Sequence, residues 1–229
     1  MVFIPLIESQ GDWKYVQSVW YHWQSLNVGM LAFVSSIIAF NISRFNAEKQ
    51  RERNFIAARA FLPDALSELT TYFKLSASLL NEAWEKISVK NSKSPLLTPL
   101  PKLPVNYKKI FSHCIKFADP EISEYLAYIL MRLQVHNSRI EDIPEDLSSR
   151  GRLSPHNIIT YLFRLGELQA LTGKIFEFAR GLESFDGSAF IWEDYQNAFS
   201  NLGIWAEDYD DLIGFTKRAI ERDSIKSEP

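Results

Sequence analysis

Apolar residues recur along this chain at intervals of three and four, the mark of one helical face after another. Only nine glycines and no Asn-Gly turn are available to build hairpins, and the one Asp-Gly, Asp186–Gly187, sits between helical patterns. The expectation is an all-α fold. After a first apolar run, residues 44–62 have high helix propensity and no breaker, and Pro63 either kinks that helix or opens the next one in its first turn. Leu66, Leu69, Tyr72, Phe73, Leu75, Leu79, Leu80, Trp84 and Ile87 then mark a broad apolar face. Ser76 stands on it where the spacing asks for an apolar residue, and the helix is expected to end near Asn91. Pro95, Pro99, Pro101 and Pro104 make residues 94–104 an extended connector, which the interleaved leucines would lay against the domain. Helices are predicted over 106–117 and 120–140, the second with Asp119 as N-cap and Pro120 in its first turn. A polar loop is expected over 141–152, then a long helix capped by Ser154 with Pro155 in its first turn. Two more helices near 189–202 and 205–222 and a tail at 226–229 complete a domain of five to seven helices over 63–225.

The first apolar run sets the architecture. Lys14 and Arg44 bracket 29 residues in which His22 is the one titratable basic side chain. Leu26 to Ile42 would rise about 25 Å as a helix, near the lower limit for a bilayer's hydrocarbon core, and Trp20, Tyr21 and Trp23 extend it with rings suited to a lipid–water interface. A cleavable signal would want its basic residues first. Here Glu8, Asp12 and Lys14 precede the run, while Arg44, Lys49, Arg51 and Arg53 follow it. The reading is one transmembrane helix over 18–43, a short extracytoplasmic segment over 1–17, a basic helical stalk over 44–62 and a cytoplasmic bulk, with the N-terminus outside. The rival is a buried helix of a soluble protein, which Asn27, Ser35, Ser36 and Asn41 would favour.

Small and polar residues in this run have an order. Ser18, His22, Ser25, Gly29, Ala32, Ser36, Ala39 and Ser43 follow at intervals of 4-3-4-3-4-3-4, a seven-residue repeat that puts them on one stripe. Leu26, Val28, Leu31, Phe33, Ile37, Ile38, Phe40 and Ile42 lie off it. In lipid, helices associate by close backbone approach and modest hydrogen bonds, which small residues permit, so Ser25, Gly29, Ala32, Ser36, Ala39 and Ser43 are expected to form a self-association seam. The same stripe could instead line an oligomeric pore, its hydroxyls toward water. The basic residues Arg44, Lys49, Arg51 and Arg53 would meet anionic headgroups just inside the membrane.

Composition adds limits. A chain 46% hydrophobic and 23% charged has a folding composition, and a net charge of −3 gives no reason to expect DNA as a partner. The single cysteine, Cys114, excludes an internal disulfide and suits a reducing compartment. His113 beside it diverges by about 100° on a helix, and no CxxC, HxxxH or HExxH occurs, so no metal or other cofactor is expected. P-loop, GxGxxG and GxSxG motifs are absent too. The acidic residues Glu193, Asp194, Glu207, Asp208, Asp210 and Asp211 lack the glycine and terminal glutamate of a calcium loop and read as a solvated or partner-facing surface.

One spacing carries a resemblance. Arg150-GRLSP-His156 is an R-x5-H arrangement that resembles the ribonuclease motif of HEPN-type helical domains. The resemblance implies Arg150 and His156 acting together on an RNA backbone, within an α-helical domain that dimerises. Ser154 and Pro155 give the same residues a simpler reading, as a helix start. The sequence is therefore expected to encode a single-pass, self-associating membrane protein with lipid, its own copies and an unidentified cytoplasmic protein or ligand as partners. It would act as a non-enzymatic scaffold, sensor or effector at a bacterial inner membrane or its equivalent, for example in stress or phage defence. A membrane-tethered ribonuclease and an oligomeric pore are the alternatives.

Overall fold

The computed structural model describes residues 12–89, 94–150 and 153–227 and, among them, all side chains except those of Asn27, Val89, Ser149, Arg150 and 223–227. The expectations for most of the N-terminal segment 1–17, the helix end near Asn91, the 151–152 part of the loop and the last two residues of the tail lie outside the described residues. Every regular element described is helical, as the spacing predicted. The chain divides into two units, residues 1–52 and 53–229.

In the first unit, α1 (Trp13–His22) is started by Asp12, whose carboxylate accepts the Lys14 N–H at 2.9 Å. Trp23, with ψ at 10°, leaves the helical range, and α2 (Gln24–Arg59) begins after it. The long helix thus starts at Gln24 where the sequence suggested a start near 18, and Ser18 and His22 fall in α1. Every described side chain from Tyr21 to Gln50 is exposed. Leu31 and Phe33 keep 68% and 65% of their surface, so the apolar run is uncovered within the described residues of its own unit. Two of its polar residues are satisfied locally. Ser36 Oγ donates to the Ala32 carbonyl and Asn41 Nδ2 to that of Ile37, both at 2.9 Å, which lets them sit on the helix without partners elsewhere.

The second unit holds the core. It opens with the end of α2, where Ala58 is buried and Arg59 lies over the rings of Phe55 and Phe178. Six α-helices follow: α3 (Leu62–Trp84), α4 (Tyr107–Phe117), α5 (Pro120–Glu145), α6 (Pro155–Arg180), α7 (Trp192–Leu202) and α8 (Leu212–Ser227). The α6 helix is central, packed by α3, α5, α7 and α8. That position explains its composition, since it is buried on nearly all sides from Ile158 to Ala179 and so lacks a polar face. Pro63, Pro120 and Pro155 each take the first turn of a helix. Ser154 accepts the Asn157 N–H and closes a capping box with the Asn157 side chain, whereas Asp119 holds the N-cap position without a side-chain cap bond.

Three details of the spacing read differently in three dimensions. Ser76 is fully buried on the α3 face because its hydroxyl donates to the Tyr72 carbonyl at 3.0 Å. Leu75 falls outside that face and is exposed. The polar loop expected over 141–152 is instead helical as far as Arg150, α5 carrying Pro144 inside it and passing into a π-turn over Asp146–Arg150. Ile140, Ile143 and Leu147, all buried at three- and four-residue spacing, continue the apolar face through the proline and hold it to the core. The proline-rich connector is extended and does lie against the domain, with Leu96 and Leu103 packed on the core.

Candidate functional site

The residues proposed for membrane contact lie along the first unit, except Arg53, which opens the second. Ser25, Gly29, Ala32, Ser36, Ala39 and Ser43 share the single helix α2 and are all exposed, and a Cβ added at Gly29 would meet nothing within 4 Å. Trp20 and Tyr21 belong to α1 and Trp23 to the turn after it, all exposed. Of the basic residues, Lys49 and Arg51 pair with Glu52 and Glu48 on the same helix at 2.8 and 2.7 Å. Those contacts reduce the charge the stretch can offer a headgroup, although exposed pairs of this kind are weak and exchangeable. Arg44 and Arg53 are exposed.

Other sequence candidates divide clearly. His156 sits in the first turn of α6 with its ring edge-on to Phe215, 6.0 Å between centroids, and the Arg150 side chain is outside the described residues. Cys114 is fully buried, and burial, partly offset by Arg59, pushes its thiol up to about 11, so it stays an unreactive packing residue. Asp194 accepts the Ile191 N–H at the start of α7 and Asp211 pairs with Arg218. No group of three metal-ligating side chains occurs among the described residues.

Polar chemistry converges elsewhere, between α5 and α6. Glu167 is only 5% exposed, and its two carboxylate oxygens are divided between partners. Oε2 takes Arg164 Nη1 at 2.9 Å. Oε1 takes the Tyr128 hydroxyl at 2.8 Å and lies 3.5 Å from Arg132 Nη2. Arg132 Nε donates in turn to the Tyr128 oxygen at 2.8 Å. Aromatic rings hold each guanidinium: Arg132 lies over Tyr128, Arg139 over Tyr161 and Arg164 over Phe163, at 4.8, 5.4 and 5.0 Å. These arginines surround a cavity of about 70 Å³ whose lining is completed by Val135, His136 and Tyr161.

His136 is the unusual member. It is 3% exposed, and its Nε2 has no hydrogen-bond partner among the described residues. Burial, reinforced by the charge of Arg139, drives its pKa down to about 3. The imidazole is therefore neutral and can donate or accept one hydrogen bond at Nε2.

Two larger concavities lack this convergence. One of about 710 Å³, between Asn54–Phe61 and Asn106–Phe117, is mainly apolar. In another, of about 610 Å³, the cation Lys174 is already engaged by Asp186 and Ser188. The sequence reading did not single out the arginine cluster, yet one signal was there. Tyr128, Arg132, His136 and Arg139 stand at intervals of four, four and three, one polar stripe on a helix. Its partners Tyr161, Arg164 and Glu167 repeat the trick at intervals of three on the next helix. Comparison of the chain with protein-family models, with curated proteins and with solved structures finds no match.

Proposed function

We propose that this chain is a membrane-anchored helical protein, its α2 helix embedded in lipid from about Gln24 to Ser43 and the second unit held at the cytoplasmic face as a sensor, scaffold or effector. The observation that carries the reading is the complete exposure of the apolar run of α2, one helix long and apolar enough to cross a membrane. A water-exposed patch of that extent is untenable for a soluble monomer, so lipid or other copies must cover it. The distribution of side chains supports lipid. An aqueous coiled coil buries its large residues in the seam and leaves small or charged ones outside. Here the large residues Leu26, Leu31, Phe33, Ile37, Ile38 and Phe40 surround a stripe of small ones. That is the arrangement lipid favours, with bulky side chains toward acyl chains and small ones where helices touch. Copies of α2 would associate through Ser25, Gly29, Ala32, Ser36, Ala39 and Ser43.

Orientation follows from the basic excess after the apolar run, Arg44, Lys49, Arg51 and Arg53 against Lys14 before it. Cysteine labelling tests it on a clean background, because the native Cys114 is fully buried. With a membrane-impermeant maleimide on intact cells, Lys14→Cys should label and Asp64→Cys only after permeabilisation. The reverse pattern would refute the orientation, and labelling of both in intact cells would refute the span.

A further inference from the structure

We propose that the groove between the end of α2 and α4 holds a long-chain fatty acid, its carboxylate at Lys109 and His113 and its chain along Ala57, Phe61, Ile110 and Phe117. Each wall is one helix face. Asn106, Lys109, Ile110, His113 and Phe117 fall at three- and four-residue spacing along α4, and Ala57, Ala58 and Phe61 do the same at the end of α2. Between them lies a mainly apolar concavity of about 710 Å³, a size that suits a small ligand. Phe61, which lines it, keeps 62% of its surface, and a ring left this open gains by contact with an apolar chain.

Charge selects the head group. Residues 54–61 and 106–117 hold Arg59, Lys108, Lys109 and Lys116 but no aspartate or glutamate. Of these cations Lys109 lines the groove, and its ammonium has neither a hydrogen bond nor an ion pair among the described residues. Arg59, Lys108 and Lys116 lie instead over the rings of Phe178, Tyr107 and Phe117. One compact ammonium matches one negative charge, a carboxylate rather than a phosphate dianion. His113, one turn on from Lys109, can donate a second hydrogen bond to that carboxylate in either protonation state. Its ring stands edge-on to Phe117, 6.3 Å between centroids, so the polar head position adjoins the apolar track. A second copy docked here about a two-fold axis would set Lys108, Lys109 and Lys116 against themselves, with no acidic residue in either wall to relieve them. A fatty acid supplies the missing charge and covers the apolar wall. The groove lies wholly in the second unit, so the inference stands whether or not lipid surrounds α2.

Photo-crosslinking of the full chain in neutral-lipid nanodiscs, with palmitic acid carrying a diazirine near its chain end, tests the proposal. Adducts are expected on peptides within 54–61 or 106–117, displaced by palmitate and about tenfold less well by the uncharged hexadecanol. Lys109→Gln should raise the palmitate needed for displacement about tenfold, and Ala57→Trp should remove the groove adducts by filling the cavity. Both side chains are exposed, so neither change disturbs the core. Adducts confined to the apolar run of α2 would show a probe that only partitions into the bilayer, and would overturn the proposal. So would an absence of adducts, equal displacement by hexadecanol, or crosslinks between two copies at these residues that palmitate leaves unchanged.

Discussion

The backbone N–H of Leu97 donates to the Glu82 carboxylate at 2.7 Å across fifteen residues of chain. Thr98 N–H meets the second oxygen of Glu82 at the same distance, and one turn further along Lys86 Nζ donates to the Pro95 carbonyl. One helical carboxylate thus fastens two consecutive N–H groups of a connector whose prolines give it few others. Glu82→Ala should cost about 1–3 kcal/mol of stability, measured by denaturant unfolding of the second unit's transition, because it removes a charged acceptor from both.

The same bond has a pH signature. Burial raises the Glu82 pKa, but the bonds from Leu97, Thr98 and Lys86 together outweigh it and hold the carboxyl down to about 2, against 4.5 for a free side chain. A folded pKa below the unfolded one gives stability that is present above about pH 4.5 and lost as pH falls toward about 2. Glu82→Gln should flatten the acid limb of the stability profile in that window, and an unchanged limb would show the connector is held by other contacts.

His136 acts at milder acidity. Its ring faces Arg139 on its own helix and Tyr72 edge-on from α3, with Arg132 and Arg164 around the same cavity. Since its pKa falls from 6.5 to about 3 on folding, the unfolded chain takes up a proton first as the solution is acidified. Its contribution is complete above about pH 6.5 and is lost toward pH 3, at no more than about 1.4 kcal/mol per pH unit. Imidazole NMR should find this ring still neutral at pH 5. A ring that titrates near 6.5 would show that it is not sealed in the fold.

Two glycines of α6 should respond with opposite signs. A Cβ at Gly166 would collide with the Phe199 ring packed from α7, so Gly166→Ala should destabilise by about 1–3 kcal/mol. At Gly173 a Cβ meets nothing within 4 Å, so Gly173→Ala should stabilise by about 0.5–1 kcal/mol through helix propensity alone. Thermal or urea unfolding reads both.

The local features were legible because their cause is local. Pro63, Pro120 and the Ser154–Pro155 pair announce helix starts through their own backbone limits, whatever surrounds them. The end of α5 was not legible, since Pro144 argues for a break and only the burial of Ile143 and Leu147 by other helices overrides it. The arginine cluster was half legible. Spacing alone puts Arg132, His136 and Arg139 on one stripe, but an amphipathic pattern does not say which helix will face it. Glu167, 35 residues on from Arg132, looks in sequence like any solvated acid until the packing of α5 on α6 buries it. In α2 the stripe was plain in the sequence, and the structure adds that every described side chain from Gln24 to Gln50 is exposed.

Self-association can be tested at the seam. Gly29→Leu and Ser36→Leu place bulk where the proposed seam needs close approach, and the Ser36 hydroxyl bonds within its own helix. Both variants should lose crosslinked oligomers in mild detergent and keep the folded second unit. Phe33→Leu, off the stripe, should leave the oligomers intact. Oligomers that survive both seam substitutions would place the contact elsewhere.

Lipid contact of α2 is the claim on which the topology and the seam depend, and alkaline carbonate extraction of membranes carrying the full chain tests it most directly. The protein should remain in the membrane pellet and enter solution only with detergent. Recovery of a monodisperse, folded chain in the carbonate supernatant would contradict the claim.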